Sequence, residues 1–257
     1  MIGKKFFYKS GMGICILAGV GALLYYGIHR YDEHRVNKRM EQLRQEVYIH
    51  TEKNDEQGLK KGKTSLKIDF SRLEKINSDI RAWIKMTGVD IDYPVAVSSQ
   101  NDYYLHHDVD KKKNAHGTLY FAVQSDFASN ALIYGHNMKD GSMFGELQKF
   151  GQKEFAQKHP LVYLYTKENT FLYHIIGSFV TDVSEDSENA FHCSNYLKID
   201  TPEKLKKFLQ QYEMCKKYDL LEKVSLKDHL LMLSTCEYSS ADGRFIVLCK
   251  RVKEEKN

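Results

Sequence analysis

Cysteine is scarce in this sequence, and its spacing suits neither cross-linking nor metal binding. The 257 residues contain five cysteines: Cys15, Cys193, Cys215, Cys236 and Cys249. An odd and widely spaced set argues against a disulfide framework. No CxxC pair occurs, and the eleven histidines show no spacing such as HExxH, so the sequence predicts no zinc site and no other metal site.

A strong excess of one charge is also missing. Lys and Arg number 38 against 34 for Asp and Glu, which gives a formal net charge of +4. This mild and interspersed excess argues against a nucleic-acid partner. With 42% hydrophobic and 28% charged residues, the chain has the composition of a folded protein with one sizeable core and an appendage.

Long apolar runs are lacking except for one, Gly11 to Ile28. It contains 18 uncharged residues after the lysine-rich segment 1–10, and that length is about enough to cross the hydrocarbon core of a membrane. No small-x-small cleavage site follows, so we expect an uncleaved signal-anchor. The basic N-terminus then predicts a single-pass protein of the cell membrane, with a cytoplasmic N-terminus and the remaining chain outside the cell.

Residues 29–65 are expected to form an amphipathic helix and a polar linker. Apolar side chains recur between charged ones at steps of four, three and four: Val36, Met40, Leu43 and Val47. This period predicts a helix over 31–50, which serves either as a stalk or packing helix or as a surface for a partner. Segment 51–65 is polar, charged and glycine-containing, which indicates a flexible spacer before a domain over 66–257.

The remainder is dominated by short apolar segments between polar turns, which indicates a closed or nearly closed β structure. The expected strands are 82–86, 91–97, 117–123, 131–134, 161–166, 170–181, 229–233 and 245–252. One long helix is predicted over 201–218, because Thr201 can cap it and Pro202 suits its first turn. A shorter helix is predicted over 142–150.

Two of the expected strands end in reactive side chains. His136 follows strand 131–134, and Cys236 follows strand 229–233, so the two side chains would emerge together if these strands are neighbours. An imidazole within hydrogen-bond reach of a thiol can remove its proton or stabilise the thiolate. Arg244 would add a fixed positive charge, and the three residues form a candidate site for nucleophilic chemistry.

The segments around these residues resemble the motifs of the sortases. YGHN and the following MKDGSMFGELQKF contain His136, LSTCEY contains Cys236, and DGRFIVLCKRV contains Arg244. The three motifs occur in the order that the family uses, and the resemblance covers about residues 66–252. Further upstream segments are similar to class B sortases in particular: INSDIRAWI at 76–84, DYPV at 92–95 and NDYYLHHD at 101–108.

The resemblance implies a mainly β fold with helices. We expect a sortase-type closed barrel of about eight strands, with an N-terminal helical extension and a long helix before the cysteine strand. It also implies a cysteine transpeptidase that cleaves a C-terminal sorting signal after Thr and joins the Thr carbonyl to an amine. Cys236 would form a thioester, His136 would transfer protons, and Arg244 would stabilise the oxyanion. No acidic cluster calls for calcium, so no cofactor is expected.

The resemblance also suggests substrate-contacting residues and partners. Asn101 and Leu105 match positions that line the sorting-signal groove, and Ser234 and Glu237 flank the cysteine. The expected partners are surface proteins with an NPQTN-like or xPxTG-like signal, the membrane through the N-terminal anchor, and an amine acceptor. That acceptor is an amine of the peptidoglycan precursor or cross-bridge, diaminopimelate of the stem peptide, or a pilin lysine. The sequence leaves these choices open.

Three other functions compete with this interpretation. A papain-like cell-wall peptidase or amidase places its Cys before its His in the chain, whereas here His136 precedes Cys236. A catalytically idle, membrane-anchored binding protein would be favoured if a catalytic group were missing, but the cysteine, histidine and arginine are all present. A pilin-polymerising sortase shares the same three residues.

Overall fold

The chain divides into two compact units, Met1–Arg44 and Gln45–Asn257. We describe it from a computed structural model. The structure describes residues 2–51, 65–100, 102–127, 129–184, 190–220, 222–237 and 242–257, and within these it leaves out the side chains of 2–18, 25, 28, 29, 32, 50, 51 and 65.

Helix α1 (Ile2–Val47) makes up the first unit and ends just inside the second. The helix expected over 31–50 is thus present up to Val47. The next residues form strand β1 (Tyr48–Thr51), which pairs antiparallel with β2 (Ser65–Ile68). The predicted spacer therefore has both of its end residues in paired strands, while residues 52–64 lie outside the described part of the chain.

The membrane anchor expected over residues 11–28 is contradicted. A helix that spans a bilayer needs about 20 predominantly apolar residues. Among the residues that the structure describes, no helix has the length and apolar character to cross a membrane. The side chains of 11–18 lie outside the described set. The expected single-pass localisation, with a cytoplasmic N-terminus and an extracellular domain, is corrected accordingly.

The second unit is built on a mixed sheet that closes into a barrel of eight strands. The sheet has nine described strands, of which all but β9 form the barrel: β3 (Ile80–Met86), β4 (Asp92–Ala96), β5 (Leu119–Phe121), β6 (Ala131–Tyr134), β7 (Leu161–Thr166), β8 (Asn169–Asp182), β9 (Lys216–Asp219), β10 (Leu230–Cys236) and β11 (Gly243–Lys256). Their order is β11-β10-β6-β5-β4-β3-β7-β8, and β8 pairs with β11 to close the ring. β9 pairs with β8 beyond the end of β7. The expected mainly β fold with helices is confirmed.

Short helices connect the strands. They are α2 (Phe70–Ile76), α3 (Lys153–Lys158), α4 (Pro202–Cys215) and the 3-10 helices Tyr103–Leu105, Gly145–Gly151 and Cys193–Tyr196. Helix α4 begins as predicted, because the Thr201 side chain accepts a hydrogen bond from the Lys204 N–H at 3.2 Å and Pro202 starts the first turn. It ends before residue 218, because the following residues pair with β8 as β9.

Strands β6 and β10 lie in the most buried part of the barrel. Every residue of β10 before Cys236 is buried, as are the first three residues of β6. A strand covered on both faces has a continuous apolar sequence and not an alternating one. On the α4 side, Phe208 and Tyr212 pack against Phe179 of β8 in an aromatic cluster. The packing around β6 and β10 therefore holds both strands rigidly up to their carboxyl ends.

Gly177 allows α4 to pack closely on β8, and its replacement should destabilise the fold. A Cβ at this position would lie 1.8 Å from Tyr212 Oη and 2.8 Å from the Tyr218 carbonyl oxygen. We expect Gly177→Ala to lower the free energy of unfolding by about 1–3 kcal/mol, as overpacking does. Urea titration can follow this through the fluorescence of Trp83, the single tryptophan, which is fully buried.

Gly151→Ala is the matched control for this experiment. Its added Cβ would meet its nearest neighbours at 3.5 Å, which is ordinary contact, so the unfolding free energy should change by no more than about 0.5 kcal/mol. An unfolding midpoint of Gly177→Ala equal to that of the wild type would contradict the packing argument.

Candidate active site

The carboxyl ends of β6 and β10 bring His136 and Cys236 to the same edge of the barrel. The two strands are parallel neighbours, which is the condition on which the sequence places the two side chains together. Beyond β6, the Gly135 N–H donates to the Ser234 carbonyl at 3.1 Å, and Thr235 Oγ1 donates to the Gly135 carbonyl at 2.8 Å. These bonds hold the two chains side by side at the residues that precede the imidazole and the thiol.

Asn137 makes a direct link between the two segments. Its Nδ2 donates a hydrogen bond to the main-chain carbonyl of Cys236 at 2.9 Å. The Phe144 N–H donates to the His136 carbonyl at 2.9 Å, so the main chain of the histidine is fixed as well. The backbone of the imidazole-bearing residue and that of the thiol-bearing residue are therefore coupled by side-chain and main-chain bonds.

Arg244 lies across the β10–β11 hairpin from the cysteine. In the antiparallel register, Arg244 is the partner of Cys236. The Gly243 carbonyl accepts hydrogen bonds from the Glu237 N–H and from Arg244 Nη1, both at 2.9 Å. The guanidinium is partly buried and lies at the same edge as the thiol.

The three side chains line one cavity of about 630 Å³. Its other described lining residues are Asp102, Leu105, Tyr120, Ala122, Val123, Gln124, Tyr134, Gly135, Thr181, Val183, Phe191, His192, Cys193, Ser194, Ser234, Thr235 and Ile246. A mostly apolar concave surface with a few convergent polar groups is the usual form of a binding site. The thiol, the imidazole and the guanidinium are such groups.

The imidazole of His136 is held by a main-chain acceptor. Its Nε2 lies 2.8 Å from the carbonyl oxygen of Leu105, at the end of the 3-10 helix Tyr103–Leu105. A carbonyl oxygen only accepts hydrogen bonds, so Nε2 carries the hydrogen of this contact. The ring of His106 lies nearby, with its centroid 6.5 Å from that of His136.

The four expected substrate-contacting residues have different outcomes. Leu105 and Ser234 line the cavity, and their contact with substrate stays a prediction. Glu237 follows the cysteine, but it is not among the described lining residues. Asn101 lies outside the part of the chain that the structure describes. The main-chain role of Leu105 toward His136 could not be read from its side chain.

Sequence reasoning missed the phenols and the apolar wall of the cavity. Tyr120 on β5 and Tyr134 on β6 line it, as do Thr181 and Phe191. Burial raises the pKa of Tyr134 to about 12 and raises the pKa of Tyr120 as well, so both remain protonated donors at neutral pH. One signal was available for Tyr134, because residues two apart in a strand point to the same face and His136 is two positions later.

The remaining described cysteines are poor nucleophiles. Burial raises the pKa of Cys193 and of Cys249, and it raises that of Cys215 to about 11. Cys193 lines the cavity but is only 8% exposed. Across the described residues, no group of three or more His, Cys, Asp or Glu side chains could hold a metal ion.

Comparison with known proteins agrees with this geometry. Residues 84–252 match the Sortase family, described as the sortase domain. A sortase B from Listeria monocytogenes is 34% identical over 187 residues, which are 70% of this chain and 72% of the relative. A crystal structure of sortase B from Bacillus anthracis in complex with AAEK1 is 27% identical, with a TM-score of 0.67, and the match covers 87% of this chain and 99% of that one.

A Staphylococcus aureus sortase B–substrate complex is also similar, with 26% identity, a TM-score of 0.63, and coverage of 72% of this chain and 84% of that one. Fold and relatives together define a cysteine transpeptidase of the cell-wall sorting type. The chain belongs to the sortase family, in its class B.

The different thiol environments predict selective alkylation. At pH 8, iodoacetamide should modify Cys236 before the other three described cysteines, because Cys236 is partly exposed in the cavity. A pKa of about 11 leaves Cys215 a thiolate fraction roughly 200-fold below that of an ordinary thiol with a pKa near 8.5. Peptide mapping by mass spectrometry gives the order of labelling, with Cys236→Ala as the control. Earlier labelling of Cys193, Cys215 or Cys249 would contradict the assignment.

Proposed function

We propose that Cys236, His136 and Arg244 are the catalytic residues of a transpeptidase that cleaves a C-terminal sorting signal after Thr and attaches the acyl group to an amine of peptidoglycan. The carrying observation is that these three side chains, from β10, the end of β6 and β11, line one cavity. The catalytic function resides in the barrel unit, within the domain expected over 66–257.

The first half of the reaction forms a thioester. The Cys236 thiolate attacks the Thr carbonyl carbon, and the peptide C–N bond breaks as the tetrahedral intermediate collapses. The imidazolium of His136 gives its proton to the departing amine, so the leaving group departs as a neutral amine. Splitting one amide exchange into two acyl transfers avoids the direct attack of one amine on a stable amide.

The second half returns the enzyme to its starting state. The neutral His136 accepts a proton from the incoming amine as its nitrogen attacks the thioester carbon. The C–S bond breaks, the new amide forms, and Cys236 is again a thiolate beside an imidazolium. In both halves, Arg244 stabilises the negative charge on the oxygen of the tetrahedral intermediate.

The cavity supports recognition of an extended peptide. Leu105 supplies apolar surface and Ser234 lies beside the nucleophile, while the protonated phenols of Tyr120 and Tyr134 can donate hydrogen bonds. The complex of the related Staphylococcus aureus sortase B with a substrate supports a substrate-binding role for this cavity. NPQTN-like and xPxTG-like signals are both candidates, and Asn101 and Glu237 remain predicted contacts.

A panel of signal peptides tests the proposed chemistry. The full-length chain, incubated with NPQTN-like and xPxTG-like peptides, should give a covalent adduct on Cys236 with cleavage after Thr, detected by mass spectrometry. Addition of a peptidoglycan-like amine should resolve the adduct to a new amide. Cys236→Ala should form no adduct, whereas Cys215→Ala, at a residue that is not among the described lining residues of the cavity, should form it normally. An adduct in Cys236→Ala would remove the central claim, and no adduct with any peptide would favour a binding protein.

Arg244→Lys should lower kcat/KM by about 100-fold, the usual consequence of losing one oxyanion donor. An ammonium keeps the charge but cannot reproduce the planar fork of a guanidinium. Arg251→Lys is the matched control, since Arg251 lies on the same strand and donates to the Phe127 carbonyl outside the cavity. Wild-type rates in Arg244→Lys, measured by peptide cleavage, would reduce Arg244 to a structural role.

A further inference from the structure

We propose that Gly117 is a positioning residue for His136 and acts through the carbonyl oxygen of Leu105. This inference rests on the proposed function, because it concerns the residue assigned as acid and base. Its starting point is the 2.8 Å contact between His136 Nε2 and the Leu105 carbonyl. No carboxylate is needed in this arrangement, since a main-chain oxygen orients the ring.

The Leu105 carbonyl determines which ring nitrogen exchanges protons. A neutral imidazole has one N–H and one lone pair, and the acceptor bound to one nitrogen selects the tautomer. Here the hydrogen is held on Nε2, which leaves Nδ1 as the nitrogen that gives a proton to the departing amine and takes one from the incoming amine. A ring without this acceptor would divide between two tautomers and two orientations.

Gly117 lies directly against the carbonyls that end the 3-10 helix. A Cβ at this position would be 2.4 Å from the Tyr104 carbonyl oxygen and 2.7 Å from the Leu105 carbonyl oxygen. Both distances are well inside van der Waals contact, and both atoms belong to the backbone. Gly117 also has φ of +62°, in the left-handed region that favours glycine. Any side chain must therefore displace the oxygen that holds His136.

The surrounding bonds leave these carbonyls little room to move. The Thr118 N–H donates to the Tyr104 carbonyl at 2.9 Å. The hydroxyl of Tyr104, which is fully buried, donates to Asp79 Oδ2 at 2.7 Å and accepts from Asn77 Nδ2 at 2.9 Å. These bonds hold Tyr104 in place, so the 3-10 helix cannot move as a whole. An added Cβ at Gly117 therefore shifts the Leu105 carbonyl oxygen relative to the imidazole.

The tautomer of His136 is the direct readout. In full-length protein labelled with 15N-histidine, the His136 signals are assigned by comparison with His136→Gln. At a pH high enough to deprotonate the imidazolium, the wild type should show a single neutral form with the hydrogen on Nε2. Gly117→Ala should show averaged shifts of the two tautomers. Gly117→Asn separates the steric effect from backbone strain, because Asn tolerates positive φ more readily than Ala, and it should show the same averaging.

Kinetics of peptide cleavage provide the second readout. Misplacement of a reacting group by about 1 Å lowers rates on the order of 100-fold, so both Gly117 variants should lose about that much in kcat while KM changes little. Gly88→Ala is the matched control, because Gly88 has φ of +81° and its Cβ would meet the ring of His159 at 2.3 Å in the β3–β4 turn. That variant should lose thermal stability but keep the wild-type tautomer and kcat.

Averaged tautomers in the wild type would overturn the proposal, as would a Gly117 variant with both the wild-type tautomer and the wild-type kcat. If Gly117→Ala does not fold, the wild-type spectrum and Gly117→Asn decide. The two hypotheses fail separately: a fixed Nε2–H tautomer in a protein that forms no thioester would refute the proposed function and leave the positioning role intact.

Discussion

The parallel pairing of β6 with β10 is the constraint on which the rest of the site depends. Because parallel strands share a direction, their carboxyl ends meet at one edge, where Cys236 is the last residue of β10 and His136 lies two residues beyond the end of β6. The hydrogen bonds between Gly135 and Ser234 and between Thr235 and Gly135 fix the register of the two strands, and a shift of one residue would turn every side chain to the other face. The thiol and the imidazole thus owe their proximity to strand packing, not to a contact between themselves.

The β10–β11 hairpin and the end of the 3-10 helix Tyr103–Leu105 add a positive charge and a fixed ring orientation, which β6 and β10 alone do not provide. Arg244 reaches the edge because it is the register partner of the cysteine in β11. The imidazole acquires its orientation from a main-chain oxygen that belongs to a separate segment, the end of the 3-10 helix before β5. The guanidinium, the thiol and the orientation of the imidazole are therefore provided by three different parts of the backbone: β11, β10 and the end of the 3-10 helix.

Much of this arrangement could be predicted from the sequence, and particular residues show where prediction stops. The continuous apolar runs before His136 and Cys236 identified both strands, and Thr201 with Pro202 identified the start of α4. Strand β9 was missed because its residues continue the helical pattern of α4, and only pairing with β8 decides their conformation. The Leu105 carbonyl was not predictable, since its partner is distant in sequence and the contact involves no side chain.

The closure of the barrel also determines the stage of folding at which the active site is assembled. The last strand, β11, pairs along β8 and carries the arginine beside the cysteine strand. Contacts between residues so far apart in sequence form late, after the entropy of closing long loops has been overcome. Until β10 has paired with β6, the thiol of Cys236 lacks the imidazole of His136, which lies 100 residues earlier in the sequence. Acyl transfer is thereby coupled to completed folding, and a nascent copy has no assembled site with which to attack other polypeptides.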